Sequence, residues 1–211
     1  MGKITIAWLR QCVAGLAVLL ALTVVLGIGY PAAVWLVSRI DSASAEGSPI
    51  TDKKGCVIGS GIIGVDPKVG DGGSDPFFHA RLVGSVSDKD PFAVGDPAAG
   101  SPTNQGPNSD LLKSFVDDRR DAIAKREKVN PARVPVDALT GSGSGLDPDI
   151  SPEYAALQIP RVAAANGLSR EKVTQLVNDH TASRQWGILG VPRVNVPMLN
   201  AALGLTAPNC S

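Results

Sequence analysis

Apolar positions follow two regimes along this chain. Every residue from Val13 to Val37 is uncharged, a run of 25. As a helix that run is about 37 Å long, enough to cross ~30 Å of hydrocarbon with some tilt. Trp8 before it, and Tyr30 and Trp35 near its far end, suit aromatic anchoring at two lipid interfaces. Ala43-Ser44-Ala45 has the small-x-small form of a cleavage site, but the apolar core of a secretory signal is about 7–15 residues. The run is therefore read as a retained transmembrane helix. Ala17 and Ala21 set small residues one turn apart on it, a spacing that lets a partner helix approach closely.

After the run the apolar positions become periodic and sparse. Residues 38–54 read as a polar linker, and Gly55–Gly64 as a short strand pair or a strand with a glycine bend. Gly, Pro and Asp dominate 66–110, where little regular structure is expected and Phe77, Phe78 and Phe92 are the candidate pins to a core. From Ser109 the period turns helical. Leu111, Leu112, Phe115, Val116, Ala122 and Ile123 share a face, Ser109 or Asp110 caps the start, and Asn130-Pro131 stops the helix. The charges from Asp117 to Lys128 read as its solvated side. Val134–Leu139 is expected to be a strand. Ser151-Pro152-Glu153 starts a helix to about Ala165, with a kink expected at Pro160 and an end at Asn166-Gly167. Ser169 caps a second helix with Val173, Leu176, Val177 and His180 on one face. Val194 and Val196 alternate as a short strand, and Met198–Leu205 reads as a last helical turn or two.

The organisation that follows is a tail over 1–12, a transmembrane helix over 13–37, the linker, and one soluble domain over 55–211. The fold class is α+β: one N-terminal span and a small mixed domain with a Gly/Pro-rich irregular stretch. Charge adds orientation. Lys3, Arg10 and Arg39 precede the first acid, Asp41, leaving 17 basic against 20 acidic residues beyond. So slightly acidic a domain has no electrostatic reason to seek nucleic acid. Lys3, Arg10 and the terminal amine favour a cytoplasmic N-terminus and an extracytoplasmic domain, although Arg39, Lys53 and Lys54 nearly balance the count. On that side Cys56 and Cys210 are a possible disulfide, with two unpaired thiols the alternative, while Cys12 sits at the edge of the span.

Candidate chemistry narrows the picture further. Thr140–Pro148 is a glycine loop before a helix, an arrangement that favours anions. It lacks the Lys-Ser/Thr of a P-loop, and Ser151 and Pro152 stand where an EF-hand needs a ligand and a glycine. The bland reading is a tight loop whose Ser and Asp side chains satisfy nearby amides. The helix pair 152–180 has helix-turn-helix spacing, and an αα-hairpin packed on its own core is the competing reading. His79 and His180 belong to no nucleophile-base-acid set, and no residues have metal-ligand spacing. A membrane-tethered helix-turn-helix regulator and a secreted binding domain are the functional alternatives on these residues.

The stretch 134–203 is more specific. Val134-Pro135-Val136-Asp137, Thr140–Pro152, Gln158-Ile159-Pro160-Arg161-Val162-Ala163, His180-Thr181, Gly187–Val196 and Leu199-Asn200 together resemble the C subunit of the Kdp-type potassium-transporting ATPase. Gly59–Gly64, Pro76–Arg81 and Asn104–Pro107 resemble it more weakly, and Val65 and the 82–103 stretch depart from the pattern. The resemblance implies a non-catalytic accessory subunit of an ATP-driven potassium uptake pump. Its implied partners are a channel-like potassium-binding subunit, a P-type ATPase subunit and a small membrane peptide. The implied role is a catalytic chaperone that raises the pump's affinity for ATP. No tightly bound cofactor is expected, ATP entering through the ATPase subunit. The residues implied for a nucleotide contact are Ser142, Gly143, Ser144, Gly145, Gln158 and Arg161. Those implied for partner contact are Ala17, Ala21, Asp147, Arg193 and Asn195.

Overall fold

A computed structural model describes residues 2–67, 74–82, 100 and 103–206. The chain divides into two units, Met1–Glu46 and Gly47–Ser211. In the first, helix α1 (Gly2–Val24) passes through a π-turn at Val25–Gly29 into α2 (Tyr30–Ser38). Pro31 supplies the cause of the π-turn. It lacks an N–H and crowds the carbonyl one turn back, and a widened turn absorbs both defects without breaking the rod. Ile4–Ser38 is long and apolar enough to span a membrane and none of its most apolar window is buried, so the helix extends well beyond the 13–37 apolar run. Arg39 lies 5.4 Å over the Trp35 ring and pairs with Glu46 at 2.6 Å. The stretch read as a linker carries a helical turn, α3 (Ser42–Ala45), with Asp41 as its cap, and then the first strand.

The second unit begins with a hairpin, β1 (Pro49–Thr51) against β2 (Val57–Ser60), with a register shift between Ile50 and Thr51. Helix α4 (Asp110–Glu127) is capped by Ser109, whose hydroxyl accepts from Leu112 N, and ends with Lys128 in the left-handed region rather than at Asn130-Pro131. A 3-10 turn at Pro131–Arg133 and a helical turn, α5 (Val136–Leu139), replace the strand expected there. Two prolines explain that correction. Pro131 presets the φ of a helical first turn, capped by Asn130 accepting from Ala132 N, and Pro135 is the extended N-cap of α5.

Strand β3 (Asp149–Ile150) leads to α6 (Pro152–Asn166), which continues through Pro160 as one helix and stops at Gly167 with φ +63. Helix α7 (Arg170–Asp179) packs on α6 as a helical hairpin. Strands β4 (Thr181–Ala182) and β5 (Arg193–Asn195) complete an antiparallel sheet ordered β3-β5-β4, and α8 (Val196–Ala202) closes the unit. The core joins Ile123, Leu139, Ile150, Tyr154, Val162, Val173, Val194 and Leu199 with Phe78, Ala80 and Leu82 from the otherwise irregular 74–82 segment. Phe92 lies outside the described residues.

Candidate functional site

Helix α4 shows how the polar interior arises. Phe115, Arg119, Ile123 and Glu127 are spaced i, i+4, i+8, i+12, so they form one stripe, and all four are buried. Arg119 and Glu127 therefore do not belong to the solvated side on which the sequence reading placed them. Arg119 Nε donates to Ala138 O at 2.7 Å. The Glu127 carboxylate, fully buried, receives Arg126 Nε at 2.7 Å and Arg161 Nε at 3.0 Å. Arg126 also donates to the Tyr154 hydroxyl at 2.9 Å.

Around this network the 74–82 segment is held by side-chain amides. Gln158 Oε1 accepts from His79 N at 2.8 Å while its Nε2 donates to His79 O at 3.0 Å. Asn200 does the same for Phe78, with both bonds at 2.8 Å. Each amide thus imitates a neighbouring strand for a segment that has none. Arg161 binds the carbonyls of Asp75 and Phe77 at 2.9 Å, the Asp75 carboxylate at 2.7 Å and Gln158 Oε1 at 2.9 Å. Gln158 and Arg161 are thereby engaged inside the protein, Gln158 completely buried.

His79 sits between two acids, Nδ1 at 3.0 Å from Asp66 and Nε2 at 2.6 Å from Asp75. A neutral imidazole has one N–H and satisfies one of them; the imidazolium satisfies both. Burial opposes that charge, but the bonds to Asp66 and Asp75 outweigh it and hold the His79 pKa above its ordinary 6.5. Asp75 moves the other way. Burial raises it, but His79 and Arg161 together bring it below the usual 3.8. His180 is half-buried, with Nδ1 2.8 Å from Leu176 O.

In the glycine loop the polar groups close on each other. Ser142 Oγ accepts from Ser144 N and Asp147 N, Ser144 Oγ from Leu146 N, and Asp147 Oδ1 from Asp149 N, all at 3.0–3.2 Å. Gly145 adopts φ +75. Asp147 also pairs with Arg81, and Ser142 N donates to Arg81 O. Gly64 is squeezed beside this loop, where a Cβ would lie 2.8 Å from Asp147 O and from Leu82. The Ser142, Ser144, Gly145, Leu146, Asp147 and Asp149 amides are thus occupied within the protein.

Arg193 pairs with Asp149 at 2.8 Å, and Asn195 donates to Gly61 O and Asp149 while capping α8 at Met198 N. Burial and the Asp147 charge raise the Asp149 pKa despite Arg193. Asp149, Asp179, His180, Arg193 and Asn195 line a cleft of about 550 Å³. The structure therefore brings Asp147, Arg193 and Asn195 near one another and sets Gln158 and Arg161 in the interior. Ala17 and Ala21 are exposed on α1. Cys56 is disulfide-bonded and Cys12 free; Cys210 lies outside the described residues. Among the described residues no group of three or more His, Cys, Asp or Glu could hold a metal ion.

Sequence reasoning missed Arg119, Arg126, Glu127, Tyr154 and Asn200 as a polar interior. The four-residue spacing of α4 was the available signal for Arg119 and Glu127. Asn200 offers none, because its partner stands 122 positions away.

An apolar N-terminal helix long enough to cross a membrane, joined to a domain whose buried polar side chains hold its own backbone, is the outline of a single-span protein. A family model described as K+-transporting ATPase, c chain (KdpC), matches residues 12–204. A KdpC subunit of a potassium-transporting ATPase from Kineococcus radiotolerans is 44% identical over 95% of this chain and 96% of its own length. One from Rhodopseudomonas palustris (strain BisB5) is 42% identical over 94% and 98%, and one from Streptomyces coelicolor is 41% identical over 94% of each. The chain belongs to the KdpC family: it is an accessory subunit of a K+-transporting ATPase rather than an enzyme in its own right.

Proposed function

We propose that this subunit holds its domain on the extracytoplasmic side and stabilises the assembled pump. Its partners in this reading are the channel-like potassium-binding subunit, the P-type ATPase subunit and the small membrane peptide. Ala17 and Ala21 face a partner helix, and Asp147, Arg193 and Asn195 border the surface that meets a partner. As a catalytic chaperone it raises the ATP affinity of the ATPase subunit through those contacts, without holding ATP itself. The observation that carries this reading is the full engagement of Gln158 and Arg161 with His79, Glu127, Asp75 and Phe77. ATP is also cytoplasmic, so a domain outside has no direct access to it.

The competing reading places the nucleotide directly on Ser142, Gly143, Ser144, Gly145, Gln158 and Arg161. Melts of the full chain in micelles across millimolar Mg-ATP separate the two. A ligand at 100 times its Kd stabilises the folded state by about 2.7 kcal/mol, and we expect no saturable rise. A rise abolished by Arg161→Ala in a folded variant overturns the indirect reading. Side is read separately, from Asp118→Cys in a background without native cysteines. It should react with a membrane-impermeant thiol reagent in intact cells, whereas reaction only after lysis places the domain inside.

A further inference from the structure

The turn joining β4 to β5 holds apolar side chains out in solvent. Trp186 is 82% exposed, Ile188 75% and Val191 65%. The turn is nevertheless ordered by its own backbone. Gln185 and Leu189 exchange hydrogen bonds at 2.9 and 3.0 Å, and Gly187 N donates to Arg184 O at 3.1 Å. Trp186 has φ +52, a left-handed conformation that bulky residues rarely adopt. Gly187 at φ +78 and Gly190 at φ +74 supply the flanking bends. This geometry presents the indole at a convex tip instead of folding it onto the core.

Charge identifies the surface that suits the tip. Arg184 and Arg193 flank it, no Asp or Glu follows Asp179 in the chain, and the Asp137, Asp147 and Asp149 carboxylates that line one cleft with Val191 are taken by Ser151, Arg81 and Arg193. Arg193 holds Asp149 through Nε but leaves half its side chain exposed. An aromatic and aliphatic tip between guanidinium groups matches the lipid–water boundary. There an indole rests at headgroup level, aliphatic groups reach the acyl chains, and arginines meet anionic phosphates. Lipid is also close at hand. The candidate span ends at Ser38 and the domain unit begins at Gly47, a tether of eight residues that reaches at most about 28 Å. Such a short tether gives the headgroup layer a high effective concentration at the domain. We propose that Trp186–Val191 is an interfacial wedge that seats the domain on an anionic lipid leaflet. The wedge works on either side of the membrane and is independent of how the pump senses ATP.

The full chain in nanodiscs tests this. Trp8→Phe and Trp35→Phe leave Trp186 as the single tryptophan reporter. In anionic nanodiscs with brominated acyl chains its emission should fall roughly twofold against unbrominated lipid and shift to the blue. Arg184→Glu removes one cation and adds an anion, so binding to anionic lipid should weaken by about fivefold or more. Ile188→Asp should restore the unquenched signal while circular dichroism stays unchanged. Emission that ignores bromine and remains fully open to iodide overturns the wedge. Shielding that appears only when the other ATPase chains are present also overturns it, in favour of a protein interface.

Discussion

The glycine loop at 142–149 and the segment at 74–82 are both irregular and rich in small or polar residues, yet they are held in opposite ways. In the loop most polar partners lie two to five positions apart: Ser142 with Ser144 and Asp147, Ser144 with Leu146, Asp147 with Asp149. In the segment the backbone groups of Phe77, Phe78 and His79 are held from about 80 to 120 positions away, on α6 and α8, while the His79 ring meets Asp66 and Asp75 nearby. The loop is shaped from within, whereas the segment takes its shape from the helices that grip it. The two meet at Arg81, which pairs with Asp147 and whose carbonyl accepts from Ser142 N, so damage to the loop should reach the segment only at that end. Damage to a side chain that grips the segment should release core residues Phe78, Ala80 and Leu82 as well.

The largest effect is expected at Glu127. Its carboxylate has Arg126 and Arg161 on it and no exposure, so Glu127→Ala takes an anion from buried Arg126 and one of two from Arg161, which keeps Asp75. Breaking one partner from a buried pair costs about 3–5 kcal/mol. Denaturant unfolding of the full chain in micelles measures it, and a loss below 1 kcal/mol would show that water reaches the arginines. Asn200→Ala and Gln158→Ala come next. Each strands one backbone donor and one acceptor, at about 1–3 kcal/mol apiece before relaxation. Protease nicking within 74–82 should rise in both variants, which distinguishes release of the segment from general weakening.

That order also explains what was legible in the sequence. Ser109, Ser151 and Ser169 cap their helices as read, and Gly167 ends α6, because a cap and its amide stand three residues apart. The apolar rod was legible for the same reason, its pattern being wholly local. The strand expected at Val134–Leu139 failed because Pro131 opens a 3-10 turn and Pro135 stands as the cap of α5. The interior roles of Arg119 and Glu127 were hidden by residue type, since charged side chains are almost never fully buried unless paired, and their partners are not visible in a local window. The resemblance implied Gln158 and Arg161 for a nucleotide contact, and only coordinates place them against His79 and Phe77.

The loop supplies the contrasting measurement. Gly145→Val forces a β-branched residue into φ +75 and should cost about 1–3 kcal/mol through backbone strain. Ser142→Ala removes an acceptor shared by two amides and should cost about 1–2 kcal/mol. Neither should increase nicking at 74–80, the part held from α6 and α8 rather than by the loop. If Ser142→Ala opened that segment as Asn200→Ala is expected to, the two regions would be one cooperative unit and the distinction would fail.

The smallest expected effect is the pH dependence of the grip itself. His79 faces Asp66 on Nδ1 and Asp75 on Nε2, with Arg126 opposing its charge from α4 and Arg161 holding Asp75 from α6. Its folded pKa lies above 6.5, so its contribution is complete below pH 6.5 and is lost as pH rises through the folded value. Asp75 is depressed below 3.8, so its contribution is complete above pH 3.8 and is lost as pH falls through its folded value. Between those limits the His79–Asp75 pair is charged on both sides and the segment is held most tightly. Stability of the full chain should therefore decline as pH rises above 6.5 through the folded value, and His79→Gln should flatten that part of the curve. Glutamine can donate to one acid but carries no charge, so the variant should also be weaker than the parent at pH 6 and converge toward it at high pH. A parent curve that rises over the same interval would mean that the folded site binds fewer protons than the unfolded chain, with His79 neutral between the two acids.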